Sequence, residues 1–122
     1  MPKQKIDSAQ LRAELANFTG TQEWHRHSLV RSMLMTDGVM HMAEAAGVFW
    51  LLDIIAFEIF RLQKTEPFLS ITLDVLDGKG ELKVTDGNDR QLYKRHIPFT
   101  DCPPGRWGLY LCDKVLLLPS EY

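Results

Sequence analysis

Apolar residues recur at helical spacing as far as residue 64 and alternate with polar ones from residue 69 onward, so the chain changes period at QKTEP. In the first part, Asp7 and Gln10 have capping-box spacing and Leu11, Leu15 and Phe18 follow as one stripe, which predicts a first helix closed by Gly20. The stretch TQEWHRHSLV, residues 21–30, has no clean period. It reads as a turn followed by a short helix or an irregular segment, anchored to the core by Trp24. RSMLMTDG reads as a short strand entering a turn. Thr36 is placed to cap a second helix, with Asp37 in its first turn and Val39, Met42, Ala43 and Ala46 on one apolar face. Gly47 ends that helix or bends it into the next.

Val48 to Leu62 carries apolar residues on two sides. Val48, Leu51, Leu52, Ile55, Ala56, Ile59 and Leu62 share a broad core face on a helical wheel. Trp50, Ile54 and Phe57 lie on the other side, interleaved with Asp53, Arg61 and Lys64. Two readings follow for that second side. A central helix covered on both sides would bury it in the protein's own core; a homodimer or partner surface would leave it for another chain, since Trp, Phe and Arg are enriched in interface hot spots. The partner-binding set is then Trp50, Asp53, Ile54, Phe57 and Arg61.

Beyond the change of period, Leu69, Ile71, Leu73 and Val75 alternate with Ser70, Thr72 and Asp74 as in a half-buried antiparallel strand. DGKG and DGND supply turns around a second strand at 81–85, residues 90–99 form a more polar third, and TDCPPG turns the chain into a fourth that buries Trp107, Leu109 and Leu111. VLLL supplies a fifth, and the ending PSEY is expected to fray, the alternatives being that it docks in a partner's pocket or folds back on its own sheet. The predicted class is α+β: a single domain over 1–122, with helices in 7–64 packed on one face of a four- to five-stranded antiparallel meander in 68–119.

Composition narrows the functional classes. With 122 residues, 45% hydrophobic and 25% charged, the chain is large enough for one core. A net charge of -2 lacks the basic excess of a nucleic-acid binder, so that class is disfavoured. The run at 48–62 is shorter than the ~20 residues a membrane helix needs, and Asp53, Glu58 and Arg61 would be costly inside a bilayer. MPKQKIDSAQ shows no secretory pattern and Pro2 argues against myristoylation, so a cytoplasmic address is expected. Cys102 and Cys112 are expected as free thiols, without the spacing of a zinc site.

Candidate chemistry is sparse. His25 and His27 with His41 would make a three-histidine metal site if they converged, and Asp37, His41 and Glu44 share one helical face as an acid/base dyad would. The same spacing is produced by an ordinary solvated face. YKRH, residues 93–96, beside a strand carrying Arg106 and Tyr110 would offer a basic and aromatic sheet face to single-stranded nucleic acid. No GxSxG, HExxH, Walker or GxGxxG pattern occurs, and neither cofactor nor metal is assigned.

LRAELANFTGT, TDGVMHMAEAAGVFWLLDIIA, EPFLSITL, FTDCP and VLLLPSEY, in this order along nearly the whole chain, resemble a bacterial family, domain of unknown function family 6876. The resemblance implies no reaction and no functional residue to carry over. It implies a small stand-alone protein often found with phage or plasmid genes, and through that setting an inhibitor of a host defence complex, as an anti-CRISPR protein would be. The expected function is accordingly a protein-binding module without catalytic activity, whose partner is a protein or a second copy. A small hydrolase or metal protein built on His25, His27, Asp37, His41 and Glu44 is the alternative, and a single-stranded nucleic-acid binder the further one.

Overall fold

The computed structural model describes residues 6–122. Asp7 accepts a hydrogen bond from the Gln10 amide at 2.7 Å and caps α1 (Ser8–Leu15). α1 is shorter than its stripe predicts, since it ends at Leu15 well before Gly20, and Phe18 reaches the core from the loop. The irregular segment that follows contains only β1 (His25–Arg26), paired antiparallel with β2 (Leu34–Met35).

Trp24 does not anchor this segment: it is 58% exposed, and the buried residue is His27. The reason is chemical. The amides of Leu29 and Val30 need an acceptor, and His27 Nδ1 takes both, at 3.1 and 3.0 Å, which an indole N–H cannot do.

Thr36 caps α2 (Asp37–Ala46), and Gly47 ends it in the left-handed region at φ 68° with its N–H on the Ala43 carbonyl. Val39, Met42, Ala43 and Ala46 are all buried, as their spacing predicts. Residues 48–62, expected as one helix, form three pieces: α3 (Phe49–Ile54), a π turn (Ile55–Ile59) and a 3-10 turn (Phe60–Lys64). The π turn keeps Ile55, Ala56 and Ile59 in the core while Glu58 turns to the sheet edge, where the Tyr93 hydroxyl donates to it at 2.9 Å and Arg95 pairs with it.

The second half gives β3 (Phe68–Leu76), β4 (Lys79–Thr85), β5 (Gln91–Ile97), β6 (Gly105–Cys112) and β7 (Val115–Leu117). The seven-stranded sheet runs β1-β2-β7-β6-β3-β4-β5. It is mixed, because β2 and β7 are parallel, and it departs from the expected meander. β6 does not follow β5 but crosses to pair with β3, so that β3 lies inside the sheet between β6 and β4. The crossover at 98–104 is held by the Thr100 amide on the Gly78 carbonyl at 2.8 Å and the Trp107 indole on the Pro103 carbonyl at 2.8 Å. Beside β3, Trp107, Leu109 and Leu111 are fully enclosed, whereas the β5 strand they would otherwise join is lined mostly by charged and polar residues.

Inward residues of β3, β4 and β6 join Leu11, Met42, Leu51 and Ile59 in one buried cluster, so the helices lie on one face. The carboxyl end does not fray. A 3-10 turn (Pro119–Glu121) brings the Glu121 carboxylate to the start of α2, where it accepts from Thr36 Oγ1 at 2.6 Å and the Gly38 amide at 3.3 Å. The Tyr122 ring packs on Phe68 and Tyr110 on the outer face of the sheet.

Candidate functional site

α3 and the π turn set Phe49, Asp53 and Phe57 four residues apart along one outward row. Phe49 is 49% exposed and Phe57 52%. Beside them Trp50 and Ile54 are half-buried and line a groove whose opposite wall is Ile97 at the end of β5 with Pro98 and Phe99 of the β5–β6 crossover, Phe99 being 73% exposed. Within the row, Asp53 Oδ1 lies 2.9 Å from His27 Nε2. Because Nδ1 is occupied by two amide donors, Nε2 carries the proton and donates to Asp53. The Phe57 ring stands edge-on to His27 at 5.8 Å, so the pair fixes both side chains.

Of the expected partner-binding set, Trp50, Asp53, Ile54 and Phe57 come together here. Arg61 lines a separate cleft with Val30, Phe60 and Lys114. Phe49 and Phe99 are additions. Phe49 was legible as the residue four before Asp53; Phe99 carries no local signal, because only the crossover brings it to α3.

The histidines do not converge. His25 pairs with Asp37 at 2.8 Å, His27 with Asp53, and His41 with Glu14 at 2.6 Å, while Glu44 is exposed. Asp37 and His41 therefore form no dyad with each other: each faces a different segment packed on α2. One group of three donors does form, from Glu23, His25 and Asp37, with their ligand atoms within 4.8 Å. The Asp37 carboxylate in it is already occupied by His25 and by the amides of Gln22 at 2.9 Å and Glu23 at 3.4 Å. The His25 bond first, and then the Gln22 amide, hold its pKa below the ordinary aspartate value. With the Asp37 amide donating to Thr21 Oγ1 at 2.9 Å, this is a clamp fastening residues 21–25 to α2. A cation there would also face the positive end of the helix dipole.

The sequence model of a family of unknown function, DUF6876, matches residues 9–122. The chain belongs to DUF6876. No curated protein and no solved structure matches it. The DUF6876 match brings no reaction or ligand with it, so the site rests on geometry. Among the described residues no helix is long and apolar enough to cross a membrane.

The basic and aromatic residues of the DUF6876 chain are divided between the two faces of the sheet. Alternation along β5 turns Tyr93 and Arg95 toward Glu58 on the helix side and leaves Lys94 and His96 on the other, with His96 on Glu81 at 3.2 Å. β4 and β3 separate β5 from β6, where Arg106 pairs with Asp74 at 2.8 Å and Tyr110 stacks on Phe68. Burial and the Glu58 bond raise the Tyr93 pKa. Cys102 and Cys112 are free thiols at opposite ends of this region. β6 alone spans roughly 24 Å at ~3.4 Å per residue, far beyond a disulfide's reach. Burial pushes the Cys102 thiol up to about 12.

Proposed function

We propose that this DUF6876 protein is a protein-binding module that recognises its partner through the α3 face. The observation that supports this reading is the cluster of Phe49, Phe57 and Phe99, each about half exposed or more, around the Trp50–Ile54 groove. Scattered exposed apolar residues are ordinary, but aromatics gathered on one helical row and across a shared groove form the kind of patch that a second protein covers. Anchor residues of this type, held rigid by their neighbours, lose little entropy on binding. Asp53 adds a carboxylate to the apolar row and sets the partner's chemistry as an apolar surface with a donor at its centre. The narrower role, inhibition of a host defence complex, draws its support only from the phage or plasmid setting that the family resemblance implies.

The test is a photo-crosslinking phenylalanine analogue placed at position 57 in the producing cell, with Phe49→Asp or Phe99→Asp introduced beside it in the same cell. A single protein adduct, lost with either aspartate substitution while thermal unfolding stays unchanged, supports the reading. Absence of any adduct from position 57, or unfolding by both substitutions, overturns it.

A further inference from the structure

β7 has three residues against eight in β6, and its ladder covers only Tyr110 to Cys112, so among the described residues the first half of β6 has no strand on that side. The ladder's alternation identifies which backbone groups are left over. The two-residue turn at Asp113 and Lys114, both at positive φ, makes Cys112 and Val115 a hydrogen-bonded pair. Tyr110, Gly108 and Arg106 therefore direct their N–H and C=O groups to the same side, and Trp107, Leu109 and Leu111 direct theirs to β3. Pro119, the residue that would continue the ladder opposite Gly108, has no N–H to give. Arg12 crosses the edge and donates to the Arg106 carbonyl at 3.0 Å. Among the described residues, the N–H of Arg106 and both backbone groups of Gly108 remain open.

These groups border a cleft of about 270 Å³ between α1 and the Pro119 turn, walled by Leu15, Met42, Trp107 and Leu118. This is below the ~300–1,000 Å³ of small-molecule sites and suits a stretch of extended backbone. Two further features bear on the occupant. A Cβ at Gly108 would meet Pro119 at an ordinary 3.7 Å, so packing does not demand glycine there, and a bare glycine leaves this stretch of the edge unobstructed. The Arg12 guanidinium stands 4.2 Å over the Trp107 ring at the mouth of the cleft and, among the described residues, forms no ion pair.

We propose that this half-edge receives an extended, acidic segment of a partner protein as an added strand, its backbone pairing with Arg106 and Gly108 and a carboxylate meeting Arg12. A second copy fits less well, because it would bring its own α1 to a cleft that α1 already half roofs. The site is separate from the α3 face and stands without it.

The experiment is amide exchange of the full chain, followed by NMR, with and without the acetylated and amidated peptide Val-Glu-Val-Glu-Val. In the free protein the Arg106 and Gly108 amides exchange at least about tenfold faster than those of Trp107 and Leu109. The acidic peptide slows those two amides, its lysine counterpart and its N-methylated form do not, and Arg12→Glu reverses the preference between the glutamate and lysine peptides. Protection of Arg106 and Gly108 in dilute free protein overturns the proposal, as does protection that grows with protein concentration, which would make the occupant a second copy. An equal response to the lysine or N-methylated peptide also overturns it. The free-protein measurement needs no variant, so a failure of Arg12→Glu to fold leaves it decisive.

Discussion

β5 closes the sheet on one side with Lys94, Arg95 and His96 in succession, a bulge after Val84 and Pro98 at its end, whereas the open half of β6 offers Gly108 and an apolar cleft under a single arginine. Charge, a bulge and proline are the means by which proteins keep an edge strand from pairing. β6 has proline only, placed so that it stops β7 and leaves the rest of the edge free. The difference also lies in what stands behind each strand. The inward side of β5 is held by polar contacts of Tyr93 and Arg95 with Glu58, and that of β6 by a buried indole.

The strongest way to break the comparison is through those supports. Trp107→Ala removes a ring that is 3% exposed, its bond to Pro103 and the platform under Arg12, and is expected to cost roughly 3–5 kcal/mol in urea unfolding. Glu121→Ala comes next. It strips the acceptor from Thr36, Gly38 and Leu118, and should cost roughly 1–2 kcal/mol and loosen the Pro119 wall of the cleft, read as faster exchange of the Gly38 amide. Tyr93→Phe deletes only the bond to Glu58, for about 0.5–1.5 kcal/mol. A Tyr93→Phe loss as large as that of Trp107→Ala would mean that the two edges are supported alike.

Thiol chemistry marks the same division without altering stability. Cys102 lies buried in the crossover and its pKa is raised to about 12, while Cys112 ends β6 partly exposed with a smaller upward shift caused by burial and Asp113. Alkylation of the native protein near neutral pH, followed by mass spectrometry, is expected to label Cys112 first and Cys102 only on unfolding.

What the sequence made legible is what neighbouring residues decide. The Asp7 and Thr36 caps, the buried face of α2 and the inward set of β3 are local consequences of spacing, and each is where its residues place it. The partner of β6 is decided elsewhere, by which strand best encloses Trp107 and by prolines that carry the chain across the sheet, so alternation alone suggested a meander. The same limit held for the site. Spacing grouped Trp50, Ile54 and Phe57, but Phe99 reaches them through the crossover, and His27 takes the anchoring role from Trp24 because two amides of its own turn need an acceptor.

β1, the remaining edge, is too short to hold itself, and its attachment is the smallest effect expected. It depends on the Asp37 clamp, whose carboxylate is favoured as the anion in the folded state and whose pKa is lowered from 3.8. The contribution is thus fully present above 3.8 and is lost as pH falls through the lower, folded-state value. Amide exchange of Gln22 and Glu23 should therefore accelerate, relative to its intrinsic pH dependence, only in that acid range, while residues of β3 keep their protection. Asp37→Asn should give the loosened segment at neutral pH and remove the acid step. If the step persists in Asp37→Asn, β1 is held by another group, and the three edges differ less in how they are fastened than in what they expose.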